Sequence, residues 1–98
     1  MNYLKITSGK VELCDSNGSH IRNIVNSNAI NAELSSGGNI VVTYENGKVE
    51  LLDDRGSHKS NIASDCINAK FNGEDIILTK KNNHMEMVNN RGSHIRNL

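Results

Sequence analysis

One short segment occurs almost three times in tandem along this 98-residue chain. The string Gly9-Lys10-Val11-Glu12-Leu13-Cys14-Asp15-Ser16-Asn17-Gly18-Ser19-His20 returns as Gly47-Lys48-Val49-Glu50-Leu51-Leu52-Asp53-Asp54-Arg55-Gly56-Ser57-His58. A weaker copy runs from Asn83 to His94. Each Gly-Ser-His triplet leads into a similar tail: Ile21-Arg22-Asn23-Ile24, Lys59-Ser60-Asn61-Ile62 and Ile95-Arg96-Asn97-Leu98. A second block, Ile30-Asn31-Ala32-Glu33-Leu34, matches Ile67-Asn68-Ala69-Lys70-Phe71 and has no counterpart before the first copy. Self-similarity of this kind marks an array of supersecondary units. Each is too small to bury its own apolar face and becomes stable by stacking on a neighbour.

The units read as strands. Ile30, Ala32 and Leu34 alternate with polar residues, the period of a half-buried strand. Ile40 to Tyr44 is a β-branched and aromatic run that suits a pleated surface. Asn46-Gly47 follows and predicts a type I′ hairpin, because both residue types tolerate positive φ. Val49 to Leu52 is the return strand, Asp53 to Ser57 a polar turn, and His58 to Ile62 a short fourth strand. A helix from Asn28 to Leu34 is the competing assignment. The equivalent block runs straight into Asn72-Gly73, which leaves a helix too little room.

A strand, Asn-Gly, a strand such as Lys48-Val49-Glu50-Leu51-Leu52-Asp53, a glycine turn and then a tail such as Ile21-Arg22-Asn23-Ile24 resembles a β-propeller blade. The likeness covers Tyr3 to Ile24, Ala29 to Ile62 and Cys66 to Leu98. It is to the general blade pattern, without the Trp-Asp signature of one large class or the sugar-binding motif of another. It implies a single all-β domain of four-stranded units at approximately 1–24 (partial), 29–62 and 66–98. Propellers close with about four to eight blades, so the resemblance implies an incomplete propeller closed by homo-oligomerisation, a dimer supplying six blades. The alternative is a monomer with pseudo-threefold symmetry, a β-trefoil or β-prism.

Composition sharpens the need for association. The only aromatic residues are Tyr3, Tyr44 and Phe71, and there is no Trp. Aromatic rings bury the most area per side chain, so a small domain without them has a thin core. Such chains recover stability from disulfides, metals or self-association. Cys14 and Cys66 each sit in an apolar run, which suits free thiols in a reducing, cytoplasmic setting. Lys plus Arg balance Asp plus Glu at eleven each, which disfavours a nucleic-acid partner because phosphate contacts demand a basic patch. No apolar stretch approaches the length of a membrane span.

The repeat aligns three sets of chemically capable side chains. His20, His58 and His94 are equivalent, and imidazole is a common metal ligand. Histidines on separate units would stand too far apart to share one metal at about 2 Å per bond, so local hydrogen bonding suffices to explain them. Glu12, Glu50 and Glu86 are equivalent carboxylates within a strand, candidates for a polar ligand or for cross-strand pairing with a cation. Arg22 and Arg96 stand beside Gly-Ser amides that could cradle an anion, although the second copy has Ser60 there. No zinc pattern, cofactor motif or nucleophile–base pair emerges. The expected role is therefore a non-enzymatic binding or scaffold module of unknown ligand. A monomeric small-molecule or carbohydrate binder is the second reading and an enzyme the third.

Overall fold

A computed structural model describes residues 2–98. Eleven antiparallel strands form three separate sheets, one per unit, with no helix among the described residues. The first sheet holds β1 (Tyr3–Thr7), β2 (Lys10–Cys14) and β3 (His20–Val25). The second holds β4 (Ala29–Leu34), β5 (Asn39–Tyr44), β6 (Val49–Asp53) and β7 (His58–Ala63) in sequential order. The third repeats it with β8 (Cys66–Asn72), β9 (Asp75–Lys80), β10 (Met85–Val88) and β11 (His94–Asn97). Repeated four-stranded antiparallel sheets of this kind are compatible with blade-like units. A β-trefoil would need strands paired between units into a closed barrel, and no sheet here mixes strands of two units.

The repeated polar string makes the same turn three times. Asp15, Asp53 and Asn89 each accept, through Oδ1, the amides of the residues two and four positions on, at 2.9–3.0 Å. In the same loops the glycine amide bonds the carbonyl three residues back: Gly18 to Asp15, Gly56 to Asp53 and Gly92 to Asn89, each at 3.0 Å. The three glycines adopt φ between 85° and 87°, a region that side chains with a Cβ resist. Asx side chains satisfy local amides in this way and so hold the chain reversal without help from the core.

The hairpin at Asn46-Gly47 differs from expectation. Gly47 has φ of 93°, but Asn46 is not among the positive-φ residues. Gly47 N instead bonds Tyr44 O, while Tyr44 N bonds Lys48 O. This is a three-residue loop, a tight turn followed by a left-handed glycine. The Asn46 carboxamide accepts from Lys48 N at 3.0 Å and stabilises the loop without leaving the ordinary φ range. The two-residue geometry occurs in the first unit, where Ser8 (φ 51°) and Gly9 (φ 83°) join Thr7 to Lys10.

The apolar core lies between sheets. Ile40, Val42 and Leu52 of the second unit pack against Leu4, Val11 and Ile24 of the first. The alternate residues Val41, Val49 and Leu51 pack against Ile76, Leu78 and Val88 of the third. Period-2 alternation thus gives the middle sheet two apolar faces. Burying each such aliphatic side chain contributes about 1.5–3 kcal/mol. No cluster joins the first unit directly to the third among the described residues, and the array extends over 38 × 25 × 19 Å.

Candidate functional site

The two side-chain sets that recur most faithfully in the sequence meet in the structure. Nδ1 of His20 lies 3.1 Å from Glu12 Oε1, Nδ1 of His58 lies 2.8 Å from Glu50 Oε2, and Nδ1 of His94 lies 2.9 Å from Glu86 Oε2. A carboxylate only accepts, so Nδ1–H donates in the hydrogen bonds of His58 to Glu50 and His94 to Glu86, while His20 and Glu12 stand at ion-pair distance. The ladder explains the meeting. Each Glu stands opposite an Asn (Glu12 with Asn23, Glu50 with Asn61, Glu86 with Asn97) and each His stands opposite the residue two beyond that Glu. A register shift occurs between those two positions in every unit, at Leu13/Cys14, Leu51/Leu52 and Met87/Val88. The extra residue re-aims the histidine so that a diagonal neighbour comes within hydrogen-bond reach.

The surroundings of the three carboxylates differ. Glu50 also accepts the hydroxyl of Tyr44 through Oε1. Burial, the hydrogen bond to Glu50 and the Glu50 charge together push the Tyr44 phenol well above its ordinary 10.0. At Glu86, Lys80 Nζ approaches Oε1 at 3.7 Å. Beside Glu12 stands Lys5, its direct cross-strand partner. The histidine rings are about half exposed while the carboxylates are largely covered, so the imidazole Nε2 edge is what each unit offers to solvent. Among the described residues no group of three or more His, Cys, Asp and Glu side chains is placed to hold a metal ion.

Arg22 and Arg96 are exposed on β3 and β11, opposite Leu13 and Met87. The Gly-Ser amides beside them are already used. The Ser19, Ser57 and Ser93 amides go to the turn Asx side chains, and the glycine amides go to backbone carbonyls. The anion cradle considered from sequence is therefore filled by the turn itself. Ser60, the counterpart of the arginines, donates Oγ to Asn90 O of the third unit at 2.8 Å. The departure from the repeat at this position thus ties two units together.

Sequence reasoning missed the polar contacts between units. Asn31 Nδ2 donates to Asn68 Oδ1, joining equivalent residues of β4 and β8, the first strands of the second and third units. Glu33 Oε1 accepts from Phe71 N at 2.7 Å. Glu74 gathers Ser35 Oγ, Asn39 Nδ2 and the Gly37 amide at 3.0–3.2 Å. The Ser35 bond first, then those of Asn39 and Gly37 and the charge of Lys59, hold its carboxyl below the usual range. None of these partners repeats in all three units, so alignment of the copies gave no signal. The constant eight-residue step from Glu to His did repeat and could have revealed those pairs.

Cys14 and Cys66 are free, buried thiols, and burial pushes the Cys66 thiol up. No helix is long and apolar enough to cross a membrane among the described residues. No protein-family model matches the chain, and no curated protein matches it.

Proposed function

We propose that the chain is a non-enzymatic binding or scaffold module of the cytoplasm whose copies associate into a closed β-propeller, a dimer giving six units. The observation that carries this reading is the placement of the core between sheets, which leaves the array with two uncovered ends. Ile62 is 6% exposed beneath the third unit, whereas its counterpart Leu98 is 52% exposed. By the same alternation Ile77 and Met85 occupy the places of the fully buried Val41 and Val49 with no fourth sheet over them, and both are only half-buried, although Met87 in the place of Leu51 is covered within its own unit. At the other end Tyr3 is 44% exposed where Ile40 is fully covered. Lys5 replaces the apolar Val42 there, and Glu12 opposite gives that ammonium a partner at a covered junction.

Six units lie within the range at which blade arrays close. The innermost strands β4 and β8 lie side by side, so ligands belong where such strands and their loops converge. The Glu–His pairs repeat around the ring as weak polar contacts that gain avidity by number. Replacing Leu98 by Asp puts a carboxylate into the proposed junction. The substitution is expected to return the protein to its single-chain mass of 10.8 kDa, read by light scattering during size exclusion. An unchanged multimeric mass would count against this junction.

A further inference from the structure

The turn of the third unit carries a cation without the acids that accompany it in the second. Asp53-Asp54-Arg55 of one turn becomes Asn89-Asn90-Arg91 of the next. In the second unit the Ser57 amide first, then the Arg55 amide and the charges of Arg55 and Lys59, hold the Asp53 carboxyl below its ordinary value. Acid and cation there answer one another. Arg91 has only amides at the matching places, and neither Arg91 nor Lys59 enters an ion pair among the described residues.

An open cleft of about 200 Å³ lies between β7 and this turn, lined by Lys59, Ser60, Asn90 and Arg91 above Leu51. Leu51 is fully buried and closes it beneath. The register shift between Leu51 and Leu52 leaves Lys59 without a ladder partner, so it shares this side of the sheet with Ser60. Its ammonium donates to Asn39 Oδ1 at 2.7 Å, which fixes its place and leaves two N–H groups over. Ser60 Oγ donates to Asn90 O at 2.8 Å and draws the turn onto the strand. Asp53 and, through Asn39, Glu74 offset part of the Lys59 charge. No carboxylate lines the cleft itself.

We propose that this cleft binds a phosphate group, free or carried by a small molecule. The Arg91 guanidinium offers paired donors to two oxygens, and the Lys59 ammonium and Asn90 carboxamide supply further donors. The Gly-Ser amides, already used in the turns, take no part. At the first junction Asp54 stands where Asn90 stands here, and its carboxylate opposes an anion. β7 and β4 are opposite edges of one sheet, so the site lies away from the junction of β4 with β8. Both walls belong to one chain, and the site does not require a ring.

The test is a titration of the isotope-labelled full chain with inorganic phosphate, and in a second arm with glycerol phosphate, followed by amide shifts at constant ionic strength and neutral pH. Acetate is the control. Saturable shifts centred on Ser60, Asn90 and Arg91 are expected. Arg91→Gln and Asn90→Asp change exposed side chains and should each weaken binding about tenfold, the loss or opposition of one charge-assisted contact. Arg55→Gln, at the equivalent place in the second unit, should leave it unchanged. Tighter binding of the ester supports a carried phosphate, and tighter binding of the free ion supports inorganic phosphate. No saturable shift, equal shifts with acetate, or full affinity in Arg91→Gln would overturn the proposal. Light scattering on the same samples keeps it distinct from ring assembly. A 10.8 kDa species that binds phosphate keeps the site and removes the ring, whereas a multimer that ignores phosphate removes only the site.

Discussion

Nδ1 of His58 donates to one oxygen of Glu50 at 2.8 Å while the Tyr44 hydroxyl donates to the other. One carboxylate on β6 therefore joins two side chains, one from each neighbouring strand. Its neighbours are unequal, because Tyr44 belongs to the core cluster between the first two units and His58 is half exposed. Glu50→Ala strands a partly buried phenol and should lower stability by about 1–3 kcal/mol. His58→Ala removes an exposed partner and should cost less than about 1 kcal/mol. Urea denaturation of the two variants checks the order.

The turn glycines should separate by what lies above them. A Cβ added at Gly92 would stand 2.6 Å from Ile62 O and 3.2 Å from its Cα, both backbone atoms that cannot swing away. At Gly56 the nearest atoms are 3.6 Å off, and at Gly73 nothing lies within 4 Å. Gly56→Ala and Gly73→Ala should each cost about 1–2 kcal/mol, the penalty of a left-handed L-residue. Gly92→Ala adds overpacking and should exceed about 3 kcal/mol. Equal melting temperatures for the three variants would show that the turn of the third unit does not press on the second.

Acid should weaken some turns and spare others. The Ser57 amide first, then that of Arg55, holds the Asp53 carboxyl below its ordinary 3.8, and Glu74 is held below its ordinary 4.5 by Ser35. A carboxyl whose folded pKa is depressed contributes stability above its unfolded pKa and loses it as pH falls through the folded value. Asn89 makes the same turn without a titrating group. Below pH 3.8 the Ser57 amide should therefore begin to exchange faster, while the Ser93 amide should hold. Asp53→Asn should remove that acid response with little change at neutral pH.

Thr43 is buried, and its hydroxyl has no partner among the described residues. An unpaired buried hydroxyl is unfavourable, and replacing it by a methyl of the same shape relieves the penalty. Thr43→Val should leave stability unchanged or raise it by up to about 1 kcal/mol. A clear loss in a thermal melt would mean that Thr43 Oγ1 has a partner.

Much of the fold was legible because the information is local and repeated. Alternation at Ile30, Ala32 and Leu34 placed β4, the run from Ile40 to Tyr44 placed β5, and the Asp-x-x-Gly-Ser string placed the turn from Asp53 to Ser57. The loop at Asn46-Gly47 was misread because a dipeptide fixes which residue can turn left-handed but not how many residues close the loop. The Glu and His sets were found as triplets but not as pairs. Their pairing depends on the register across the hairpin, which sets His58 opposite Leu52 and so diagonal to Glu50, and the register was not read from the sequence. Contacts such as Glu33 with Phe71 depend on how one sheet stacks on the next, which no pattern within a unit encodes.

The association of copies is the claim on which the rest of the functional account depends. Size exclusion with light scattering on the unmodified chain tests it most directly. The account expects a multiple of 10.8 kDa, a dimer in the simplest ring. A stable, cooperatively folded species at 10.8 kDa across micromolar concentrations would contradict it.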